Sequence, residues 1–435
     1  MRFRAWGAPA GGPATARGPR WRRTRGGPGG AWWDVADAGL EAARDIARRG
    51  GQGEARGQTE DGPGRRAVLG GLAAAALPLA VPAAASSLLA GCMFRSDDVP
   101  QTATHPALVP PRDEAVVAVV AVPQEPALAR TTLATLAARV RDIRRAGGPV
   151  SAMLAVGPTW FTKAGLGDRR PPQVTPMPSF TGDRLDPLRV GGDLLLQVEG
   201  DTRPDADRVA GELLSGLVGA VVRWRMPGSR PENEVVDGRA LTRNVAGFTE
   251  GLGNPDSRDG RTVDGMTLVR SGAGVPAWAV GGTYLVLRVM RLDRDAWDAE
   301  APAQQEAIIG RRTDGRWLDG TPADGDPDFD GDQYGVRTPT DSHVRRANPR
   351  HKGEPPPPLI RRSWSWAGEP RADSTREEGT LFMCYQADIA AGFEAVQKRL
   401  KGQLLDLYVS TVGGGYFVVP PPDPTAGAWE TALLR

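Results

Sequence analysis

Histidine is nearly absent from this chain: three occur in 435 residues, at His105, His343 and His351. Any chemistry that needs an imidazole must therefore use one of these positions. Cysteine is scarcer still. Cys92 and Cys384 are the only two, so no disulfide framework is available and the fold must rely on its core. A dominant charge of either sign is also missing, with 54 basic against 52 acidic residues, which excludes a global electrostatic signal for nucleic acid or an acidic partner. A membrane-spanning run is lacking too. The Ala/Leu-rich stretch that ends at Cys92 is interrupted by Pro78 and Pro82, which argues against a spanning helix.

What is present first is a leader. Residues 1–64 are rich in Arg, Gly, Pro and Trp and too poor in periodic aliphatic residues to bury a core. They are expected to be a disordered extension or the product of a start placed too early. Residues 65–92 open with Arg65-Arg66, continue through a modest apolar stretch and end at Leu89-Ala-Gly-Cys92. Paired arginines before such a stretch read as a twin-arginine (Tat) export signal, and the last four residues resemble a lipobox with Cys92 as the acylated residue. Residues 93–112 read as a tether.

Strand and helix signals then alternate. Ala115–Val122, Ser151–Val156, Asp193–Val198 and Val221–Arg225 read as strands, with helices over Leu128–Arg145 and from Pro204. The order β-α-β-β-α-β is that of a ferredoxin-like unit. Residues 282–290 form the first strand of a second unit. A helix over Asp295–Ile309, a strand over Leu381–Tyr385, a helix over Ile389–Leu400 and a strand over Gly415–Val419 complete it. The expected fold class is α+β: two tandem ferredoxin-like domains with antiparallel sheets, 113–262 and 263–435, of the dimeric α+β barrel type. A long excursion over 310–380 interrupts the second, and connections of that length in a compact domain are usually functional.

That excursion holds Asp341-Ser-His-Val-Arg-Arg-Ala-Asn-Pro-Arg350 and, after it, Arg361-Arg362. Upstream lies Gly247-Phe-Thr-Glu-Gly-Leu-Gly-Asn-Pro255, a carboxylate set among glycines. An imidazole to ligate iron, with a carboxylate and an arginine to handle peroxide, is the parts list of a haem peroxidase. His105, in the tether, and His351, before a proline run, are poorer platforms for iron than His343. The arrangement resembles the dye-decolorising peroxidases, in particular their Tat-exported deferrochelatase/peroxidase branch. Gly157-Pro-Thr-Trp-Phe161, Gly191–Gln197, Gly281-Gly-Thr-Tyr284, Tyr385-Gln-Ala-Asp388 and Gly413-Gly-Gly-Tyr-Phe417 extend the likeness over residues 105–420.

The resemblance implies a haem b cofactor in the second domain, with His343 as axial ligand to the iron. It places Asp406 as an acidic partner of that histidine and Arg345 at a haem propionate. It gives Arg361 the role of stabilising charge as the O–O bond breaks. Glu250 stands where the family has its catalytic aspartate, the residue that moves a proton between the two peroxide oxygens. The extra methylene shifts the carboxylate by roughly 1 Å, a displacement that can cost about a hundredfold in rate. Gly247, Gly251 and Gly253 offer backbone freedom around it.

Two further features have plainer alternatives. Asp326, Asp328, Asp330 and Gly331 open like an EF-hand, but position 12 is Arg337, and a solvated loop fits better. Trp364, Trp366 and Tyr385 suit either a core or a relay of oxidising equivalents. The expected activity is reduction of hydrogen peroxide at the expense of a dye-like or other organic reducing substrate, outside the cytoplasm and tethered at most by a signal or lipid anchor. A link to iron-uptake components and a homodimer are kept as options, with no nucleic acid partner. The competing function is haem or iron handling, deferrochelatase-like, with weak peroxide chemistry.

Overall fold

The computed structural model describes residues 105–272, 274–370, 376–422 and 427–435. The expected extension, export signal, Cys92 and most of the tether lie outside the described residues. Eleven strands run β1 Glu114–Ala121, β2 Val150–Val156, β3 Leu194–Gly200, β4 Val221–Ser229, β5 Glu234–Val236, β6 Arg239–Arg243, β7 Thr249–Glu250, β8 Thr283–Leu292, β9 Ile360–Ala367, β10 Glu378–Gln386 and β11 Val409–Val419. Eight close into an antiparallel barrel of order β1-β3-β2-β11-β8-β10-β9-β4, and β5, β6 and β7 form a small separate sheet. The barrel is two four-stranded sheets joined at narrow seams. One residue pair links β2 to β11, Val156 with Val418, and one links β4 to β9, Ser229 with Ser365.

Both faces of these strands are apolar because alternate side chains line the barrel interior and meet the outer helices. In β1, Ala115, Val117 and Val119 join Leu195, Leu285, Leu287, Met383 and Phe417 in one cluster. All eight barrel strands feed that cluster, which only an enclosed barrel interior permits. Val116 and Val120 face the other way, with the buried stripe of helix α1 (Pro126–Ala146). That helix begins with a proline at its first turn, carries Arg144 and Arg145 in its last and stops at Gly147, φ +65°, where a left-handed turn favours glycine.

The interior is not wholly apolar. Arg362 lies inside it, paired with Glu199 at 3.1 Å, while the Tyr385 hydroxyl donates to Gln197 at 3.1 Å. Trp364 and Trp366 share that face. Helix α2 (Pro158–Lys163) and helix α3 (Arg203–Leu214, capped by Thr202) complete the outer layer of the first half.

Two expectations need correction. The helix expected over Asp295–Ile309 is two pieces, Arg294–Asp298 and Pro302–Ile309, because Pro302 supplies no N–H and can only start a helix. The excursion expected over 310–380 ends earlier, since β9 occupies Ile360–Ala367. Arg361 and Arg362 thus sit on a barrel strand, not in a loop. Among the described residues no helix is long and apolar enough to cross a membrane.

His105 caps a short 3-10 turn, its Nδ1 accepting the Ala107 N–H at 3.2 Å. Burial, reinforced by the Arg144 charge, pushes its pKa down to about 3 from 6.5. The folded protein therefore keeps this ring neutral while the unfolded chain takes up a proton below pH 6.5. Its contribution to stability is present above pH 6.5 and is lost as pH falls toward 3, by up to about 1.4 kcal/mol per pH unit. His105→Asn, which retains a capping oxygen, should flatten the fall in urea midpoint between pH 7 and 5. An unchanged slope would mean that this histidine is not the buried neutral group described.

Candidate active site

Arg361 and Arg362 are adjacent on β9 and so point to opposite faces. Arg362 enters the barrel and Arg361 faces outward, level with Cys384 on β10. The Arg361 backbone is held at both polar groups by one side chain. Asn254 Nδ2 donates to its carbonyl at 2.8 Å, and its N–H donates to Asn254 Oδ1 at 2.9 Å. Asn254 belongs to the same glycine-rich segment as Glu250, so the carboxylate and guanidinium segments are fastened together. Two glycines make this approach feasible. A Cβ on Gly253 would lie 2.6 Å from Arg361 Nη2, and one on Gly251, φ +102°, would lie 2.3 Å from the Ala240 carbonyl oxygen. Glu250 itself is half-buried at the end of β7, opposite Thr242. Among the described residues, neither the Glu250 carboxylate nor the Arg361 guanidinium makes a hydrogen bond or ion pair.

His343 begins the short helix His343–Ala347. This helix is docked from its C-terminal end: Arg399 Nη2 donates to the Ala347 carbonyl at 2.8 Å, and Arg346 Nη1 donates to that of Lys401, also at 2.8 Å. The dock brings His343 Nδ1 to 2.8 Å from Gln403 Oε1, and Gln403 Nε2 donates to Asp406 Oδ1 at 3.1 Å. Burial lowers the His343 pKa. The Arg361 charge adds to that shift, against the Gln403 bond and the Glu250 charge. Both charges therefore act on the imidazole. Asp406 is pushed up by burial, and its contact with His343 runs through Gln403.

Arg345 is placed elsewhere. Its Nη1 donates to Asp332 Oδ2 at 3.1 Å and to the Thr338 carbonyl at 2.6 Å, while Nη2 donates to the Phe329 and Asp332 carbonyls. It stabilises the excursion from within. Asp332 also accepts from the Val336 and Thr338 N–H groups, Asp326 pairs with Arg350 at 2.5 Å, and Asp330 lies 3.5 Å from His351. The acidic stretch is thus spent on its own loop, and no group of three metal-binding side chains occurs among the described residues.

Sequence reasoning missed several groups around the site. Arg311 and Arg350 stack on Trp317, with guanidinium carbons 3.6 and 5.1 Å from the ring centroid. Burial pushes Arg311 down to about 9, with the Arg350 and Arg361 charges adding to it. Arg350 also holds a left-handed φ of 57°, unusual for a non-glycine. A buried pair joins Arg288 to Asp183, at 2.5 and 3.1 Å, under the rings of Phe180 and Phe393. Neither Gln403 nor the Arg288–Asp183 pair belongs to a local motif. Asn254 does, since it closes the Gly-Leu-Gly-Asn-Pro run.

Among the described residues the carboxylate and the guanidinium are without partners, their charges act on one imidazole, and such a set suits proton and redox chemistry on a small polar substrate. Comparison with known proteins makes this specific. The family models described as Dyp-type peroxidase, N-terminal, and Dyp-type peroxidase, C-terminal, match residues 107–230 and 241–424. The chain belongs to the Dyp-type peroxidase family of haem-dependent enzymes. It is similar to the deferrochelatase of Escherichia coli (strain K12), with 32% identity over 287 residues, 65% of this chain and 68% of that protein. Among solved structures, a DyP-type peroxidase from Cellulomonas bogoriensis is 30% identical at a TM-score of 0.65, over 76% of this chain and 95% of that one. A Rhodococcus jostii DypB variant in complex with heme, 20% identical at a TM-score of 0.58 over 75% of this chain and 97% of that one, shares the fold.

The closeness of Gly253 to Arg361 is directly testable. Gly253→Ala meets the far end of a flexible side chain, so stability should change by no more than about 0.5 kcal/mol. The displaced guanidinium should slow the reaction with hydrogen peroxide by about tenfold to a hundredfold. An unaltered rate in stopped-flow mixing would show that Arg361 works from another position.

Proposed function

We propose that the chain reduces hydrogen peroxide at a haem b held by His343, with Glu250 and Arg361 as catalytic residues and an organic reductant as electron donor. The observation that carries this is the donor and acceptor state of the three side chains. Asp406 accepts from the Gln403 amide nitrogen, so the Gln403 oxygen faces the ring and His343 Nδ1 carries the proton. Nε2 is left with a lone pair and no partner among the described residues, the form in which an imidazole ligates iron. Haem supplies the redox-active iron at which peroxide is reduced. Glu250, without a partner among the described residues, would take the proton from one peroxide oxygen and return it to the other, which would leave as water. Arg361 contributes a fixed positive charge where negative charge develops. Arg350 and Arg311 suit the propionates better than Arg345, whose terminal nitrogens are occupied.

The finer organisation is part of the same proposal. Each half of the barrel has its strands in the spatial order fourth, first, third, second, which supports two tandem ferredoxin-like domains, 113–262 and 263–435, with the haem on the second. Arg65-Arg66 and the stretch to Cys92 support Tat export, with lipidation of Cys92 and a place on the outer face of the cytoplasmic membrane or in the periplasm. Homodimer formation and contact with iron-uptake components belong to the same reading.

A second function, release of iron from haem with weak peroxide chemistry, is favoured by the deferrochelatase relatives and by a glutamate at position 250. One variant series separates the two. His343→Ala should abolish the Soret band under either. For a peroxidase, Glu250→Ala slows peroxide consumption about 10²- to 10⁴-fold, and Arg361→Leu about 10²- to 10³-fold. Glu250→Asp should accelerate the reaction if the extra methylene misplaces the carboxylate. Peroxide rates indifferent to position 250, with ferrous iron released to a chelator and the porphyrin left intact, would favour the second function.

A further inference from the structure

The geometry points to Gln403 as the residue that fixes the tautomer and donor strength of His343, with Asp406 acting on the imidazole only through it. This rests on the reading of His343 as axial ligand, and it differs from a direct histidine–carboxylate contact. The 2.8 Å and 3.1 Å bonds form one directed chain from His343 Nδ1 through the amide to Asp406. Asp406 as carboxylate accepts only, so the amide cannot be reversed without setting its oxygen against a carboxylate. The amide oxygen likewise accepts only, which places a proton on Nδ1.

Each member of the chain is held. Gln403 is buried, its N–H donating to the Leu400 carbonyl at 3.1 Å and its own carbonyl accepting the Asp406 N–H at 3.2 Å. Asp406 is partly buried and approached by the loop of the first half, where a Cβ on Gly182 would lie 3.8 Å from the carboxyl carbon. The helix bearing His343 is tied to Lys401 and Arg399 on the same side. A neutral amide draws less negative charge onto the ring than a carboxylate at the same place, so Gln403 keeps Nε2 a moderate donor. Gln403 is thus a positioning residue, and Asp406 orients it.

The apoprotein provides the first test. With three histidines, the ring nitrogens of His343 are assignable by nitrogen-15 NMR against His343→Ala. Wild type should show the Nδ1–H tautomer, and Gln403→Leu should shift the ring toward Nε2–H. In the haem-loaded ferrous protein, the iron–histidine stretch should fall in Gln403→Leu and rise in Gln403→Glu, which keeps the side-chain shape should the leucine variant fold poorly. Haem loss should be about tenfold faster in Gln403→Leu. An Nε2–H tautomer in wild type, or a stretch indifferent to both variants, overturns the proposal. Persistence of the iron–histidine band in His343→Ala instead overturns the ligand assignment, and the apoprotein tautomer still decides the relay.

Discussion

The paired hydrogen bonds between the Asn254 side chain and the Arg361 main chain are the constraint on which the site depends. Glu250 lies on a two-residue strand in a glycine-rich turn, a segment with little apolar surface of its own to fix it. Arg361 lies on a strand of the closed barrel, paired along its length with β10. By satisfying the exposed N–H and C=O of Arg361, Asn254 transfers the position of the strand to the turn. The glycine at 253 then lets the guanidinium lie against that turn. Preorganisation of a carboxylate and a cation is obtained from two neutral hydrogen bonds and one missing methyl group.

The other half of the site is organised on the same principle with different material. His343 sits on a helix of five residues, too short to be stable by itself. Its geometry comes from Arg399, which donates to its last carbonyls, from its own Arg346, which donates to the Lys401 carbonyl, and from the amide of Gln403. Arg345, two positions from His343, faces the loop because Asp332 and three main-chain carbonyls of the excursion occupy its terminal nitrogens. Alternation along β9 does the equivalent sorting there, sending Arg361 to the site and Arg362 into the barrel with Glu199.

Much of this was legible in the sequence, and the reasons are physical. Most strands of the barrel are apolar on both faces, and α1 carries its own start and stop residues. The motifs around Glu250, His343 and Arg361 are local, so their chemistry is readable from short runs. Strand β9 was missed although Arg362, Trp364 and Trp366 alternate with period two, because arginine and serine masked the pattern. Pro302 marked a helix break that apolar periodicity alone overrides. Gln403 and the Asp183–Arg288 pair carried no local signal, since they meet their partners across 60 and 105 residues. Asp406 was visible only through the family resemblance, and the amide placed between it and His343 is a fact of three dimensions.

The central claim is the proposal that His343 presents its Nε2 lone pair to haem iron, with Glu250 and Arg361 free of partners among the described residues to act on peroxide. It is tested most directly by electron–nuclear double resonance of the ferric protein grown with histidine carrying nitrogen-15 at Nε2 only. The account predicts one strongly coupled axial nitrogen-15, absent when the label is at Nδ1. Coupling from the Nδ1 label, or no histidine coupling at all, would contradict it.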